Sequence, residues 1–446
     1  MISNHRLGLL IWAGLLTPLI ASEAQNWPHW RGPLDTGEAP HANPPVTWSE
    51  QENVRWKVAL PGRGASTPVV WDQKVFIQTA IATGEKPEGT ESEQGEGTGR
   101  GGRGGFGISK PSEIYQFVLL CLDRKTGQTL WQRVAREEVP HEGHHEDHGF
   151  ASHSPITDGE RVYSYFGSRG LHCYDMDGNP IWSKDLGRME TLISFGEGSS
   201  PTLHGEFLVI NWDHQGEDFI AAFNKRTGAE VWRQDRDEPT SWATPIVVVH
   251  EGKAQVISSA TSKVRSYDLA SGELIWECGP LTANVIPSPV ASEGMVYATS
   301  GFRGNRFLAI KLGGEGDLSE TEHVVWTHHR QTPYVPSPLL YRGKLYFFSK
   351  NDGILSCLDA RTGEVLIDAE RLEGLRGVYS SPVGAGGRVY LLGRNGVTLV
   401  LSGSGELEVL ATNELDDHFE ASPAPVGDEL FLRGQKSLYC ISGQSG

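Results

Sequence analysis

The chain has 446 residues, with 54 Gly, 13 Trp, only 4 Met and a formal net charge of −17. This acidic balance argues against binding nucleic acid or anionic lipid through bulk charge, because neutralising phosphates requires a surplus of Lys and Arg. Abundant Gly and Trp with little Met favour a β-rich protein, with many turns and packed aromatic rings, over a helical bundle.

The N-terminus has the pattern of an export signal. His5 and Arg6 precede an apolar run from Leu7 to Ile20, and a small-residue pattern ends at Ala24. The run is shorter than the ~20 residues that a membrane-spanning helix needs. We therefore predict a signal peptide over residues 1–24 and a periplasmic or secreted mature protein without an integral membrane span. A retained anchor is the alternative.

A turn motif recurs along the rest of the chain. Its clearest copy is Ala222–Trp232, with Asn224, Thr227 and Gly228, and further copies end at Trp131, Trp182 and Trp276. The Asx side chain can hydrogen-bond its own backbone, and Gly supplies the positive φ of a tight turn. The Trp that follows is large and flat enough to fill the gap between adjacent units of a repeat protein.

A second mark, Ser or Thr followed by Pro, repeats out of phase with the turn motif. From Pro155 to Pro423 the spacing is 41–49 residues, which is typical of a propeller blade of four strands. We therefore predict an all-β fold, an eight-bladed β-propeller of four-stranded antiparallel blades. The eight pairs are Thr67-Pro68, Ser154-Pro155, Ser200-Pro201, Thr244-Pro245, Ser288-Pro289, Ser337-Pro338, Ser381-Pro382 and Ser422-Pro423.

The two ends of the chain predict how the ring closes. The last unit, Ala421–Ser442, supplies only three strands, and an orphan strand with its Trp lies at Asn53–Lys57. Sharing one blade between the two termini removes the open sheet edges, so we place the propeller at residues 53–446. Seven blades with an orphan strand is the weaker alternative. Residues 25–52 are then an N-terminal extension.

Two other features fit within this ring. The segment Ile81–Glu113 is rich in Gly, Glu and Arg and poor in hydrophobic residues, so residues 81–113 are predicted to be a disordered loop insert. Four of the five Cys occupy equivalent strand contexts in different units, where they act as small core hydrophobes. We predict all five to be unpaired, since equivalent positions of separate units are rarely close enough for a disulfide.

At Ala222–Trp232, and at the opening segment Asn26–Pro33, the chain resembles the pyrroloquinoline quinone (PQQ)-like β-propeller repeat proteins, especially exported and mostly uncharacterised members. The resemblance implies the propeller fold. It also brings in two kinds of relative: quinoprotein dehydrogenases, which hold PQQ with calcium, and an exported eight-bladed scaffold that helps assemble outer-membrane proteins.

The dehydrogenase pattern is incomplete in this chain. It has no adjacent Cys pair, no Cys-x-x-Cys-His haem motif, and no Glu, Asn and Asp set that matches a family motif. PQQ with calcium is therefore disfavoured. We predict an exported non-catalytic binding or assembly scaffold, with a PQQ-type quinoprotein dehydrogenase or another metal-dependent enzyme as the alternative. A purely structural surface protein is a third reading.

The strand order predicts where a site would be. The Thr-Gly turns belong to one face, while irregular polar and aromatic loops surround the axial funnel on the other. A protein or small-molecule ligand is expected there. Trp242 and Tyr334 could instead plug the channel, and Asp213 with His214 could form a local turn. The funnel-face candidates are Arg169, Trp212, Asp213, His214, Trp242, Arg303, Tyr334, Tyr379, Arg394 and His418.

A His-rich segment lies in the crossover into the second blade. Imidazole together with carboxylate suits Zn, Cu, Ni or Fe, so a transition metal is a candidate ligand. Asp213 and His214 are candidates for a further metal ligand across the funnel. The alternative is a solvated loop whose imidazoles hydrogen-bond the backbone. The candidate metal ligands are His141, His144, His145, His148 and His153.

Overall fold

The computed structural model describes residues 26–87 and 108–443. These residues form 34 strands and two 3-10 helices, Gly167–Arg169 and Leu192–Ser194. No helix in the described part of the chain is long and apolar enough to cross a membrane. The strands in chain order are β1 (Glu38–Ala39), β2 (Val54–Ala59), β3 (Val69–Trp71), β4 (Lys74–Ala82), β5 (Tyr115–Asp123), β6 (Thr129–Glu138), β7 (Ile156–Thr157), β8 (Arg161–Tyr165), β9 (Leu171–Asp175), β10 (Pro180–Lys184), β11 (Thr202–His204), β12 (Phe207–Trp212), β13 (Phe219–Asn224), β14 (Glu230–Asp235), β15 (Ile246–His250), β16 (Lys253–Ser259), β17 (Val264–Asp268), β18 (Leu274–Cys278), β19 (Val290–Ser292), β20 (Met295–Ser300), β21 (Arg306–Lys311), β22 (Gly316–Asp317), β23 (Val324–His328), β24 (Leu339–Tyr341), β25 (Lys344–Phe348), β26 (Ile354–Asp359), β27 (Val365–Arg371), β28 (Val383–Ala385), β29 (Arg388–Leu392), β30 (Val397–Ser402), β31 (Val409–Glu414), β32 (Ala424–Val426), β33 (Glu429–Arg433) and β34 (Ser437–Ser442).

The strands form eight four-stranded antiparallel blades, which confirms the predicted propeller. Blades 1 to 4 are β3–β6, β7–β10, β11–β14 and β15–β18, and blades 5 to 8 are β19–β21 with β23, β24–β27, β28–β31 and β32–β34 with β2. The first strand of each blade lies innermost. Contacts of β3 with both β7 and β32 join the first blade to its neighbours on either side, so the ring is closed.

Blade 8 is shared by the two ends of the chain. β2 pairs antiparallel with β34 as the outermost strand, with Trp56 opposite Cys440 and Lys57 opposite Tyr439. This is the closure that the orphan strand predicted. Blade 8 therefore has four strands, like the other blades.

Tryptophan side chains hold neighbouring blades together at five junctions. Trp56 Nε1 donates to the carbonyl oxygen of Arg124 at 3.0 Å, and its ring lies against Gly127 in the turn of blade 1. Trp276 differs, because blade 5 has β22 in place of a Thr-Gly turn and β22 pairs with the strand that carries Trp276. The other four bonds run from Trp131 to Met176, Trp182 to Lys225, Trp232 to Leu269 and Trp326 to Ala360.

The N-terminal extension crosses the central channel. Trp27, which is fully buried, pairs through its backbone with Val70 of blade 1. Further along, β1 pairs parallel with β28 of blade 7. The Asn26 side chain accepts a bond from the backbone of Asp72 in the β3–β4 turn, so the crossing lies toward the face that carries the turns. The sequence did not predict this role.

The remaining sequence predictions concern the termini, the insert and the cysteines. Residues 1–24 of the predicted signal peptide lie outside the described residues, and so do 88–107 of the insert. Strand β4 continues through Ala82, two residues into the predicted insert. All five cysteines are buried and unpaired, as their strand contexts predict.

Candidate functional site

A cavity of about 450 Å³ lies on the propeller axis and is lined mainly by crossovers and loops of the funnel face. Its volume falls within the ~300–1,000 Å³ of small-molecule sites, which combine apolar walls with a few placed polar groups. Its aromatic and polar lining includes Trp30, His145, Asp147, His148, Phe195, Trp242, Phe302, Tyr334, Tyr379 and Glu420.

The eight Ser and Thr residues of the Ser/Thr-Pro pairs form a ring around the axis, here called the hydroxyl ring. At seven junctions the backbone N–H of one member donates to the hydroxyl oxygen of the member in the next blade, at 2.8–2.9 Å. Each following Pro has a fixed φ suited to starting an edge strand. All members except Ser337 line the cavity.

A network of polar side chains closes one side of the funnel. Asp147 accepts bonds from Arg394 Nη2 at 2.6 Å and from the Tyr379 hydroxyl at 2.9 Å. Arg394 also donates to Glu420 at 2.9 Å and to His418 Nε2 at 3.0 Å. The network thus unites the predicted candidates Tyr379, Arg394 and His418. Its two carboxylates were not among the predicted site residues, although Asp147 lies in the His-rich segment and Glu420 precedes a Ser-Pro pair by two residues.

The aromatic candidates form a wall of the cavity. Trp242 donates through Nε1 to the carbonyl oxygen of Gly196 at 2.8 Å, which fixes its ring. Tyr334 stacks on Phe302 with ring centroids 5.0 Å apart. The exposed Arg303 lies over the same Phe302 ring, 5.2 Å from its centroid. Trp242 and Tyr334 therefore line an open cavity rather than filling the channel.

Three candidates lie away from the cavity lining, within blade 3. Asp213 forms a fully buried ion pair with Arg236, with 2.7 Å between Oδ1 and Nε. His214 Nδ1 accepts the backbone N–H of Gly216 at 3.0 Å, so it stabilises its own loop. Trp212 is buried and stacks within the same blade. Asp213 and His214 are thus engaged in contacts within the protein, away from the cavity lining, and their role in ligand binding stays a prediction.

In the described part of the chain, one group has the composition and closeness of a metal site. Ligand atoms of His141, Glu142 and Glu197 all lie within 4.8 Å of one another. However, Arg169 donates to Glu197 at 2.8 Å and lies 3.4 Å from His141 Nδ1, and Thr191 donates to Glu142 at 2.6 Å. The Arg169 guanidinium already pairs with Glu197, and Thr191 already occupies Glu142, so as arranged these groups do not fit a transition metal.

The other four histidines of the segment do not converge with His141. His144 packs edge-to-face on Phe150, and His153 packs on Tyr165. His145 and His148 line the cavity. Burial lowers the pKa of His148 to about 4 and that of His153 to about 3, so both imidazoles are neutral at pH 7.

The described cavity lining does not supply the oxygen ligands that a calcium–quinone pair requires. Calcium takes about 6–8 oxygen ligands, usually including carboxylates. Asp147 and Glu420 are the carboxylates in the described lining, and both are bonded to Arg394. A guanidinium holds the oxygens that a calcium ion would need, so this lining does not fit calcium.

The fold, the docked tryptophans and the axial cavity together define a PQQ-like β-propeller repeat protein. A family model described as "Outer membrane protein assembly factor BamB" matches residues 116–213 and 216–446. The chain belongs to this family. No curated protein sequence matches it significantly.

The solved structures to which this chain is similar include both kinds of relative. BamB from Moraxella catarrhalis is 13% identical, with a TM-score of 0.48 over 75% of this chain and 95% of that one. A europium-containing methanol dehydrogenase is 9% identical, with a TM-score of 0.59 over 94% and 92%. A quinohemoprotein alcohol dehydrogenase from Comamonas testosteroni is 10% identical, with a TM-score of 0.56 over 96% and 82%. At these identities the two dehydrogenase similarities concern the fold alone.

Proposed function

We propose that the protein is an exported, non-catalytic binding or assembly scaffold that receives its ligand, a protein segment or a small molecule, in the funnel cavity. The observation that carries this proposal is the cavity's composition. Its walls are aromatic, and both carboxylates in its described lining are bonded to Arg394. A carboxylate that acts as a general base must be free to take a proton, whereas Asp147 and Glu420 are both bonded to Arg394 and hold the funnel loops in place.

The family membership supports the same conclusion. Its model is described as an outer membrane protein assembly factor. Assembly of outer-membrane proteins requires binding and takes place outside the cytoplasm. The export signal predicted over residues 1–24 agrees with this location. We therefore propose a periplasmic or secreted protein.

The two faces of the propeller differ in what they offer a partner. The turn face carries repeated Asx-Thr-Gly turns, in which Asp123 accepts bonds from the backbone and hydroxyl of Thr126 at 2.8 and 2.7 Å. The funnel face carries loops that differ from blade to blade, such as Phe302–Arg303. Binding residues commonly lie on variable loops presented by a rigid scaffold, which favours the funnel face.

Site-specific photo-crosslinking in the native cell envelope tests the proposal. A photoreactive residue replaces Arg303 at the funnel rim, and a matched variant carries it at Thr126, which is exposed on the turn face. We expect a discrete crosslinked product from position 303 and none from position 126. Crosslinking from position 126 alone would place the binding surface on the turn face and contradict the proposal.

A further inference from the structure

The hydroxyl ring presents hydrogen-bond donors that the described part of the chain does not use. Seven of its oxygens already accept a backbone N–H, and a hydroxyl that accepts such a bond keeps its own proton for donation. Among the described residues, none of the ring hydroxyls donates to a protein acceptor, and seven of the eight line one cavity. The cavity floor is therefore a circle of available O–H donors, suited to a group rich in acceptor oxygens.

Two further observations on the same surface point to a ligand. Ser199 lines the cavity, is 7% exposed, and its hydroxyl has no hydrogen-bond partner in the described part of the chain. Its φ of 78° lies in the left-handed region, which non-glycine residues seldom adopt. Such strain persists where the surroundings impose it and is concentrated at binding sites. Thr67 of the hydroxyl ring lines the same cavity and is 2% exposed.

Arg31 supplies positive charge directly behind the ring. Its side chain is 1% exposed and donates to the carbonyl oxygens of Pro338 at 2.7 Å and Pro382 at 3.2 Å. These prolines follow two members of the hydroxyl ring. Asp35 acts on Arg31 only at longer range, and burial lowers the pKa of the guanidinium to about 9.

Arg433 is the second such cation, next to the ring in blade 8. It is 2% exposed and donates to the carbonyl oxygens of Ser66 at 3.1 Å and Gln78 at 2.6 Å. Ser66 immediately precedes Thr67 of the hydroxyl ring. Glu420 acts on Arg433 only at longer range, and in the described residues neither Arg433 nor Arg31 forms an ion pair. A buried charge without an ion partner is costly, and an anion on the ring offsets that cost.

We propose that the floor of the funnel cavity binds the carboxylate of an apolar organic acid, with the carboxylate on the hydroxyl ring and the apolar body against Trp242 and Tyr334. This inference rests on the proposed function, because it takes the funnel cavity as the ligand site. The donors and the two guanidinium groups select an anionic oxygen group, while the aromatic wall selects an apolar body. The lining carboxylates Asp147 and Glu420 are held by Arg394 at one side of the funnel.

Calorimetric titration of the mature protein with benzoate and with benzamide tests the inference, since the two probes share their shape but differ in charge. We expect benzoate to bind at least about tenfold more tightly than benzamide, because one or two hydrogen bonds to a charged group contribute about that much affinity. Acetate, which lacks the apolar body, is expected to bind more weakly than benzoate. Acetate binding as tightly as benzoate would overturn the role of the aromatic wall.

Two variants identify the donors. Thr67→Val keeps the side-chain shape, and Ser199→Gly removes a hydroxyl together with its backbone strain. We expect each to weaken benzoate binding several-fold while leaving benzamide binding unchanged, with no loss of thermal stability for Ser199→Gly. Thr398→Val is the matched control, because the Thr398 hydroxyl, like that of Ser199, is buried without a hydrogen-bond partner in the described part of the chain, but Thr398 lies outside the cavity lining.

The outcomes separate this inference from the proposed function. Equal binding of benzoate and benzamide would overturn the anion site and leave the funnel as a ligand site. Absence of benzoate binding would also overturn the inference, while crosslinking from position 303 would still support the scaffold function. Loss of benzoate binding in Thr398→Val, as in Thr67→Val, would show that the effect does not come from the ring.

Discussion

Asp147 accepts a hydrogen bond from Arg394 at 2.6 Å, although the two residues are 247 positions apart in the chain. The bond joins the crossover that leaves blade 1 to a loop of blade 7, across the mouth of the funnel. It fixes the His-rich segment beside the cavity. Because this contact positions one side of the candidate site, its strength controls how well ordered that site is.

The first prediction concerns the pH range in which this contact stabilises the protein. Burial alone raises the pKa of Asp147, but hydrogen bonds from Arg394 and Tyr379 bring it below its ordinary value. A carboxyl with a lowered folded pKa stabilises the fold above its unfolded pKa of ~3.9 and loses that effect as pH falls through the folded pKa. We expect Asp147→Asn to lower the thermal midpoint at pH 7, with the difference shrinking toward pH 3. A difference that stays constant with pH would contradict this.

Buried histidines predict a second, separate pH effect. His148 and His153 have pKa values lowered by burial to about 4 and 3. The unfolded chain, with a His pKa of ~6.5, therefore binds more protons below that pH, and stability falls as pH falls from ~6.5 toward 4. We expect His148→Asn to be less stable than the wild type at pH 7 but to lose less stability on acidification, as measured by thermal unfolding. The control is His41→Asn at an exposed position, where the wild-type pH dependence should persist.

The docking of Trp56 predicts a high cost of substitution at a buried turn glycine. Gly127 has a φ of 73°, and a Cβ added to it would lie 2.8 Å from the Trp56 ring. Gly205 also has a positive φ, of 57°, but no atom within 4 Å of such a Cβ. Both Gly→Ala changes carry a backbone cost of roughly 1–2 kcal/mol, so we expect Gly127→Ala to be clearly the more destabilising in urea unfolding. Equal costs would mean that the junction between blades 8 and 1 is loosely packed.

The N-terminal segment predicts a large cost at a position outside the blades. Trp27 is fully buried in the central channel, whereas Leu34 of the same segment is 50% exposed. We expect Trp27→Ala to reduce the free energy of unfolding by about 3–5 kcal/mol and Leu34→Ala by less than about 0.5 kcal/mol. Denaturant unfolding of both variants checks this. A small effect of Trp27→Ala on the free energy of unfolding would show that the N-terminal segment does not unfold cooperatively with the propeller.

The repeats made the propeller predictable because each blade carries its own turn and packing signals. The Asn224–Gly228 turn predicts the local structure, and the Trp232 that follows it predicts the contact between blades. The channel-crossing segment carried no such signal, since β1 has only two residues and shows no periodicity. The sequence could therefore define residues 25–52 only as an extension.

The candidate site was predicted less completely, because its contacts join distant loops. Strand order sufficed to place Trp242, Tyr334 and Tyr379 at the funnel, where all three line the cavity. It could not show that Asp213 is neutralised by Arg236 within its own blade, because a buried ion pair depends on tertiary packing. The Ser/Thr-Pro pairs were identified as repeat markers, but their role as a hydroxyl ring needed the closed structure.

The claim that this propeller binds rather than catalyses is tested most directly by reconstitution with PQQ and calcium. Mature protein is incubated with both, and dye-linked oxidation of a panel of alcohols and sugars is measured against cofactor without protein. Because Arg394 holds both lining carboxylates, we predict no turnover above the cofactor alone. Sustained protein-dependent turnover would contradict the account and identify the chain as a quinoprotein dehydrogenase.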